Sequence, residues 1–290
     1  MRVNLANAFL GLLFAAGCGS STAKPDAASM VPPGTDGAVT DGPVVDGPVI
    51  DSPPHIPGNP SLGAHALHFY AQPGTEGAVA HDSDTSISIP AITTQRAGST
   101  IVVSVGRGKN NLFALPTDNK GNAPYQLIDT VHPYTGTYPD SGTALYTFPS
   151  AKGGDGFQVS NSTDAADEIT LAVVEVFDST RIAAHSWKYA KCRDQSDTST
   201  CDETVTSDSI TLTDAGPATL VAFWWGDANQ YFDKTAVPGD GFTRIDSVLK
   251  VGSLVQCAVA TKNVTGPGTY KVSWTATPKQ GAQLYLIAVN

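Results

Sequence analysis

The chain is poor in charged residues and has no cluster of basic ones. Charged residues make up 15% of its 290 positions, and 17 Lys and Arg are outnumbered by 27 Asp and Glu, for a formal net charge of −10. Nucleic acids and anionic lipid surfaces attract proteins through a local excess of positive charge. The composition therefore predicts a protein with no nucleic-acid partner.

The motifs of several common enzyme classes are also missing. The sequence has no Gly-x-Ser-x-Gly elbow, no His-Glu-x-x-His pair and no phosphate-cradling glycine loop. Its six histidines are scattered, so no metal site and no cofactor are predicted. A glycosidase would need two facing carboxylates, and Glu175 is the only glutamate inside a predicted strand. Because Glu175 has no carboxylate neighbour, a buried Glu held by one Arg or Tyr is the favoured interpretation. No catalytic residue is assigned, and an enzyme is the weaker hypothesis.

No apolar run is long enough to span a bilayer. The longest near the start, residues 8–14, follows Arg2 and precedes small residues, which is typical of a secretory signal peptide. Its end, Phe14-Ala15-Ala16-Gly17-Cys18, resembles the lipobox of bacterial lipoproteins. That resemblance implies removal of residues 1–17, acylation (palmitate included) of Cys18, and anchoring in the outer membrane of the cell envelope. The membrane face stays open, as does ordinary secretion with Cys18 as a spare thiol.

Residues 18–62 have few aromatic residues and many Pro, Gly, Ser and Asp. Aspartates recur at five-residue spacing at Asp41, Asp46 and Asp51, and the first two begin Asp-Gly-Pro. Proline removes backbone donors and Asp-Gly favours turns, so neither a core nor a sheet can form there. We expect a disordered tether between the lipid anchor and a folded head.

Only four cysteines are present. Cys192 and Cys201 bracket a polar loop and are predicted to form a disulfide in an oxidising compartment. No second Cys or His pair lies near enough in sequence to complete a zinc site. Cys257 lies among Val and Ala residues and is interpreted as a small core residue.

From residue 63 onward the chain consists of short runs rich in Val, Ile, Thr and aromatics, bounded by Gly, Pro or Asn/Asp. Such runs predict strands, and no stretch has a helical period. The head, 63–290, is therefore predicted to be all-β. The predicted strands are 66–72, 86–89, 100–105, 125–131, 143–148, 156–160, 169–177, 209–213, 218–225, 242–250, 254–261, 269–275 and 283–289.

The second series of strands resembles the first in the same order, which predicts pseudo-repeats at 86–178 and 208–290. One extra residue in the second copy, within 219–226, predicts a β-bulge. Two sets of about six strands indicate a two-sheet, jelly-roll-like β-sandwich. Either the halves share one core or each forms its own small sandwich. A connection without a Pro/Gly-rich linker favours one compact domain.

The head also resembles a repeated β-sandwich module of bacterial secreted and surface proteins. The resemblance rests on the Ala-Gly-Ser-Thr-Ile-Val-Val run at 97–103, the turn at 118–122, Gly153-Gly154, and 172–176. It implies a non-catalytic β-sandwich with a binding or spacer role.

Aromatic residues supply the candidate ligand-binding positions: Trp224, Trp225, Tyr231, Tyr134 and Tyr138. Neighbouring residues of a strand point to opposite faces, so one of the two tryptophans should fill the core. The other packs under a loop or faces outward, where it could stack on a sugar. Tyr134 and Tyr138 lie in a Pro-kinked loop and could do the same, or could simply pack that loop.

The predicted function is a lipid-anchored envelope protein whose head binds a glycan or a surface protein, or has an adhesive or structural role. The alternative is a carbohydrate-active enzyme or carbohydrate-binding module.

Overall fold

The computed structural model describes residues 57–71, 83, 85–109, 112–134, 140–164, 167–193, 198–214, 216–226, 233–250 and 255–290. The predicted signal peptide, Cys18 and most of the predicted tether lie outside these residues. The first described strand begins at Ser61, slightly before the predicted boundary of the head. No helix in this part of the chain has the length and apolarity needed to cross a membrane.

The described residues form an all-β structure, as predicted. They contain eighteen strands and one turn of 3-10 helix at Thr198–Thr200. We call β1 to β8 the first half and β9 to β18 the second half. The strands are β1 (Ser61–Tyr70), β2 (Ser86–Ser88), β3 (Ala97–Arg107), β4 (Thr117–Asp118), β5 (Gln126–Pro133), β6 (Gly142–Lys152), β7 (Val159–Ser162), β8 (Ile169–Phe177), β9 (Ile182–Ala190), β10 (Thr204–Thr206), β11 (Ile210–Leu212), β12 (Ala218–Gly226), β13 (Thr235–Pro238), β14 (Thr243–Val248), β15 (Gln256–Val264), β16 (Gly268–Tyr270), β17 (Ser273–Thr277) and β18 (Ala282–Val289).

Each half has one large and one small antiparallel sheet. The first large sheet has the order β1-β8-β3-β6-β5, and the second has β14-β15-β12-β18-β9. The first small sheet has the order β2-β7-β4, and the second has β10-β17-β13 with the separate pair β11-β16 beside it. The central strands β8, β12 and β18 are buried along their whole length, because both of their faces are covered. This explains why their sequences are almost continuously apolar instead of alternating.

Three apolar cores separate the layers. The first lies between the small and large sheets of the first half and includes Ile87, Val103 and Phe157. The third lies between the corresponding sheets of the second half and includes Trp224 and Trp274. The middle core joins the two large sheets face to face. One core therefore lies within each half, and a third lies between the large sheets.

The two large sheets pack strand over strand. Strand β3 crosses β12, where a Cβ atom on Gly106 would come within 2.3 Å of the Trp225 ring. Strand β6 lies over β18, since Tyr285 Oη donates to the Thr143 carbonyl at 3.3 Å. At the edge, β5 lies over β9, where the rings of His132 and Trp187 stack at 3.7 Å.

The predicted bulge in the second copy is wrong. Strand β12 pairs with β15 and β18 without any register shift. The irregular pairing is in the first half, where β3 and β6 shift register twice between Ala97 and Ile101. Between Thr100 and Arg107 in β3, and between Thr219 and Gly226 in β12, the two ladders have the same length, so the second copy has no extra residue there.

The predictions for three of the cysteines are confirmed. Cys192 and Cys201 form a disulfide. Cys257 is a free cysteine, fully buried in the core between the large sheets. Burial raises the pKa of its thiol well above the usual value, which removes it as a nucleophile.

Candidate ligand-binding site

Both candidate tryptophans are completely buried, at 0% exposure. Their side chains point to opposite faces, as expected for neighbours in a strand: Trp224 enters the core of the second half and Trp225 the core between the large sheets. The Trp225 indole N–H donates to Ser104 Oγ at 3.2 Å. The candidate stacking roles of Trp224 and Trp225 are therefore wrong, because neither ring presents a surface to a ligand.

Tyr134 is also largely buried, at 5% exposure, and its hydroxyl donates to the Trp225 carbonyl at 3.0 Å. Tyr138 and Tyr231 lie outside the described residues. In the sequence, Tyr138 comes shortly after Tyr134, and Tyr231 comes shortly after Trp225. The hydrogen bond between Tyr134 and Trp225 therefore joins the two strand ends that precede these candidate residues.

Other contacts place further strand ends of the two halves together at this end of the molecule. Thr170 Oγ1, at the start of β8, donates to the Val255 carbonyl, just before β15, at 2.6 Å. Thr143, early in β6, donates through its hydroxyl to Gln283, early in β18. We call this end, marked by Tyr134, Trp225 and Val255, the loop end.

A pocket of about 400 Å³ opens where β9 finishes, close to the loop end. Its walls are the end of β9 and strand β10 with the residues leading into it, and Gln280 also lines it. We call it the disulfide pocket, because Cys192 and Cys201 both line it and link its two walls. Its lining consists of residues 188–192, 201–202, 204–206 and Gln280.

The disulfide pocket carries two cationic side chains. Lys188 Nζ lies 3.7 Å from an oxygen of Asp208, and both side chains are substantially exposed, at 41% and 63%. Lys191 Nζ lies 5.1 Å from the centre of the Tyr189 ring, within the range of a cation–π contact. Tyr189 in turn meets Tyr134 edge-on, with the ring centroids 5.5 Å apart. The pocket is therefore continuous with the aromatic residues that mark the loop end.

A second pocket, of about 380 Å³, lies beside β1 and β2 in the first half. Its position in the first half corresponds to that of the disulfide pocket in the second. His68, which lines the serine pocket, lies opposite Leu171 of β8. Lys188 lies opposite Leu284 of β18, which is the equivalent of Leu171 in the second copy. Its lining is neutral and rich in hydroxyl groups, and we call it the serine pocket. It is lined by His68, Ser83, Ser86, Ser88, Ile89, Pro90 and Gln158.

Glu175 has no part in an open site. Its two carboxylate oxygens accept hydrogen bonds from the Ala64 N–H at 2.9 Å, the Gln95 N–H at 2.7 Å and Ser99 Oγ at 2.7 Å. An Arg or Tyr partner was expected, and the hydrogen bonds that the structure describes come from two backbone amides and a hydroxyl. Through these hydrogen bonds, the carboxylate of Glu175 on β8 connects that strand to β1, to β3 and to the segment before β3.

The two aspartates that align in the repeats have different environments. Asp246 is buried between the halves and its carboxylate lies 2.7 Å from His65 Nδ1. Burial raises the pKa of Asp246, and the hydrogen bond with His65 opposes that rise. Asp129 has a positive φ of 65° and contacts His132 at 2.9 Å, with a carboxylate 44% exposed. Among the described residues, no group of three or more His, Cys, Asp or Glu is arranged to hold a metal ion.

Lys188, Tyr189 and Lys191 were not among the predicted positions, because the stretch before Cys192 was interpreted as a connection. The available signal was the alternation Trp187-Lys188-Tyr189 next to a disulfide cysteine. Alternating bulky and polar residues are typical of a strand with one covered face.

Comparison with known proteins identifies no relative. No family model matches the chain, no curated protein matches it, and no solved structure matches it.

Proposed function

We propose that this chain is a lipid-anchored cell-envelope protein whose β-sandwich head binds a ligand and catalyses no reaction. The observation that carries the proposal is the open, polar disulfide pocket beside the loop end, lined by lysines and held by a covalent cross-link. Ligand sites commonly combine a concave surface of this size with a few converging polar groups on a rigid scaffold. Loops at one end of a sandwich are a frequent location for such sites.

Three buried carboxylates support binding over hydrolysis. Glu175 is fully buried and accepts three hydrogen bonds, and Asp246 is buried against His65. Asp167, just before β8, is buried against the Arg107 guanidinium. Each of these groups is engaged within the protein, so none offers the open pair of carboxyl groups that glycoside hydrolysis requires.

We also propose that the two halves are copies of one jelly-roll-like unit. Two features support this: the large sheets repeat one strand order, and the small sheets repeat another. The registers agree as well, since Thr100 of β3 lies opposite Val176 and Thr219 of β12 lies opposite Val289. In this proposal one copy kept a neutral pocket and the other gained the lysines and the disulfide.

Anchoring is proposed from the lipobox-like segment that ends at Cys18. Two or more acyl chains make dissociation from a bilayer slow. The test expresses the full chain and its Cys18→Ser variant in a Gram-negative host and separates soluble from membrane fractions. The wild-type chain should be in the membrane fraction and the variant in the soluble one. A variant that stays with the membrane would refute lipid anchoring.

Ligand binding is tested with the soluble full chain carrying Cys18→Ser. The chain is screened against immobilised glycans, isolated cell walls and outer-membrane fractions. Saturable binding to one of these surfaces is the expected result. Binding to none of them would leave a purely structural role and refute the proposed binding function.

A further inference from the structure

We infer that the disulfide pocket recognises a carboxylate-bearing sugar, such as a uronic acid residue of an acidic glycan. This inference rests on the proposed binding function and specifies its ligand class. It depends on the charge, the hydrogen-bonding groups and the rigidity of the pocket.

The pocket carries two lysines within an acidic protein. Lys188 and Lys191 line it together with one acidic residue, Asp202, and Asp208 lies 3.7 Å from Lys188. These charges balance, whereas the whole chain has a formal net charge of −10. A small anionic ligand would therefore meet less repulsion here than over most of the surface, and it would find two ammonium groups to pair with.

Lys188 can exchange its partner Asp208 for a carboxylate of a ligand. Its 3.7 Å contact with Asp208 is long for an ion pair, and both side chains are substantially exposed. Exposed pairs of this kind contribute little free energy, because water screens them. A ligand carboxylate at hydrogen-bonding distance would form a shorter, charge-assisted bond with the same ammonium group.

The remaining lining groups suit a ligand that is rich in hydroxyl groups. Asp202 offers an acceptor and Thr206 adds a hydroxyl. The pocket volume of about 400 Å³ falls in the usual range for small-ligand sites. A simple anion would use only the lysines, whereas a carboxylated sugar would use both kinds of group.

The disulfide fixes the two walls of the pocket relative to each other. Cys192 follows Lys191 on one wall and Cys201 precedes Asp202 on the other, and the bond between the two cysteines joins these walls. A pocket whose walls are already fixed loses less conformational entropy when it binds. The serine pocket of the first half provides an internal comparison, because it has no lysine and no disulfide.

The experiment measures binding of trigalacturonate to the soluble full chain by calorimetry at low salt. Galactotriose, which lacks the carboxylates, and citrate, which lacks the sugar, are the comparison ligands. We expect trigalacturonate to bind at least about tenfold more tightly than either. Equal binding of galactotriose would overturn the role of charge, and equal binding of citrate would overturn the role of the sugar.

The double variant Lys188→Gln/Lys191→Gln should weaken trigalacturonate binding at least about tenfold. A charge-matched control, Lys152→Gln/Lys271→Gln, changes two exposed lysines outside the pocket lining and should stay within about twofold of the wild type. Equal losses in both variants would show that only net charge matters and would refute the site. A third variant, His68→Gln in the serine pocket, should have no effect.

The outcomes separate this inference from the function it rests on. If the soluble chain binds envelope or glycan surfaces but not trigalacturonate, the acidic-sugar inference is wrong and the binding function stands. If it binds neither, both are refuted. Thermal unfolding of each variant verifies that it is folded.

Discussion

At the scale of single residues, Glu175 shows how a strand-interior carboxylate holds this head together. Replacement by Ala would remove the acceptor of three hydrogen bonds, two of them buried, including those of the Ala64 and Gln95 N–H groups. Unsatisfied buried groups are costly, so Glu175→Ala should lower the free energy of unfolding by about 3 kcal/mol. Urea denaturation followed by circular dichroism measures the change. The control, Glu203→Ala, alters a side chain that is 70% exposed and should have almost no effect.

A second residue, Lys234, gives a pH dependence with a defined sign. Its side chain is buried, and burial lowers its pKa to about 8, partly offset by the neighbouring Asp233. The unfolded chain therefore binds more protons than the folded chain between pH 8 and the ordinary lysine pKa of 10.5. Charging this lysine destabilises the fold below pH 8, and the penalty disappears as the pH rises through that interval.

Lys234→Gln should accordingly be more stable than the wild type at neutral pH, by about 2 kcal/mol, with the difference shrinking above pH 8. The tyrosines and Cys257 titrate in both proteins, so the difference in their free energies of unfolding at each pH depends on residue 234 alone. Chemical denaturation from pH 7 to pH 10 provides the data. An unchanged difference across this range would contradict the assignment, and Lys271→Gln, at an exposed position, is the control.

Residue patterns also show where prediction from sequence stops. Asp129 and Asp246 align in the repeats, but only Asp246 is buried between the halves. The ladder of β14 shifts register between Arg244 and Asp246, whereas that of β5 shifts between Ile128 and His132. A register shift turns side chains to the other face, and no feature of the aligned sequences specifies where it occurs.

At the scale of elements, the disulfide between Cys192 and Cys201 links the end of β9 to the segment leading into β10. Replacing both cysteines with Ser should lower the free energy of unfolding by about 2–3 kcal/mol, because the unfolded loop gains freedom. The same variant should bind the pocket ligand more weakly, since the walls are no longer joined. Thermal unfolding and calorimetry measure these effects. The control is the wild-type chain under non-reducing conditions. Cys257→Ser would not serve, because that thiol is buried in the core.

Strand β9 was the largest element that the sequence did not predict. Its residues are only partly buried, and its edge position gives it one ladder partner, β18. An edge strand lacks the continuous apolar sequence of β8 or β12, so its signal is weaker. The short strands β4, β10 and β13 were missed for a similar reason, because two to four residues carry almost no periodicity.

At the scale of the whole molecule, the apolar contact between the large sheets should make the two halves unfold together. Gly106 tests this coupling, because a methyl group there would collide with the Trp225 ring of the other half. Overpacking of this kind costs about 2 kcal/mol. Gly106→Ala should therefore destabilise both halves at once, while Gly216→Ala, which meets no atom within 4 Å, should not.

Two probes distinguish the halves in this test. All four tryptophans belong to the second half, and Trp187 and Trp225 also contact the first half, so their fluorescence reports on the second half and on the contact between the halves. Amide hydrogen exchange in β3 and β8 reports on the first half. Coincident transitions in the wild type, shifted equally in Gly106→Ala, are expected. Separate transitions would show that the halves are independent domains.

The sequence by itself determined the all-β class, most of the central strands, the disulfide and the burial of Cys257, because these depend on local composition and on short-range periodicity. Tertiary structure alone decided that two sandwiches share a third core, that both candidate tryptophans are buried, and that lysines from β9 line a pocket. Which face of a strand is covered depends on the layer that packs against it. That layer is formed by residues far away in the chain, so no local pattern can reveal it.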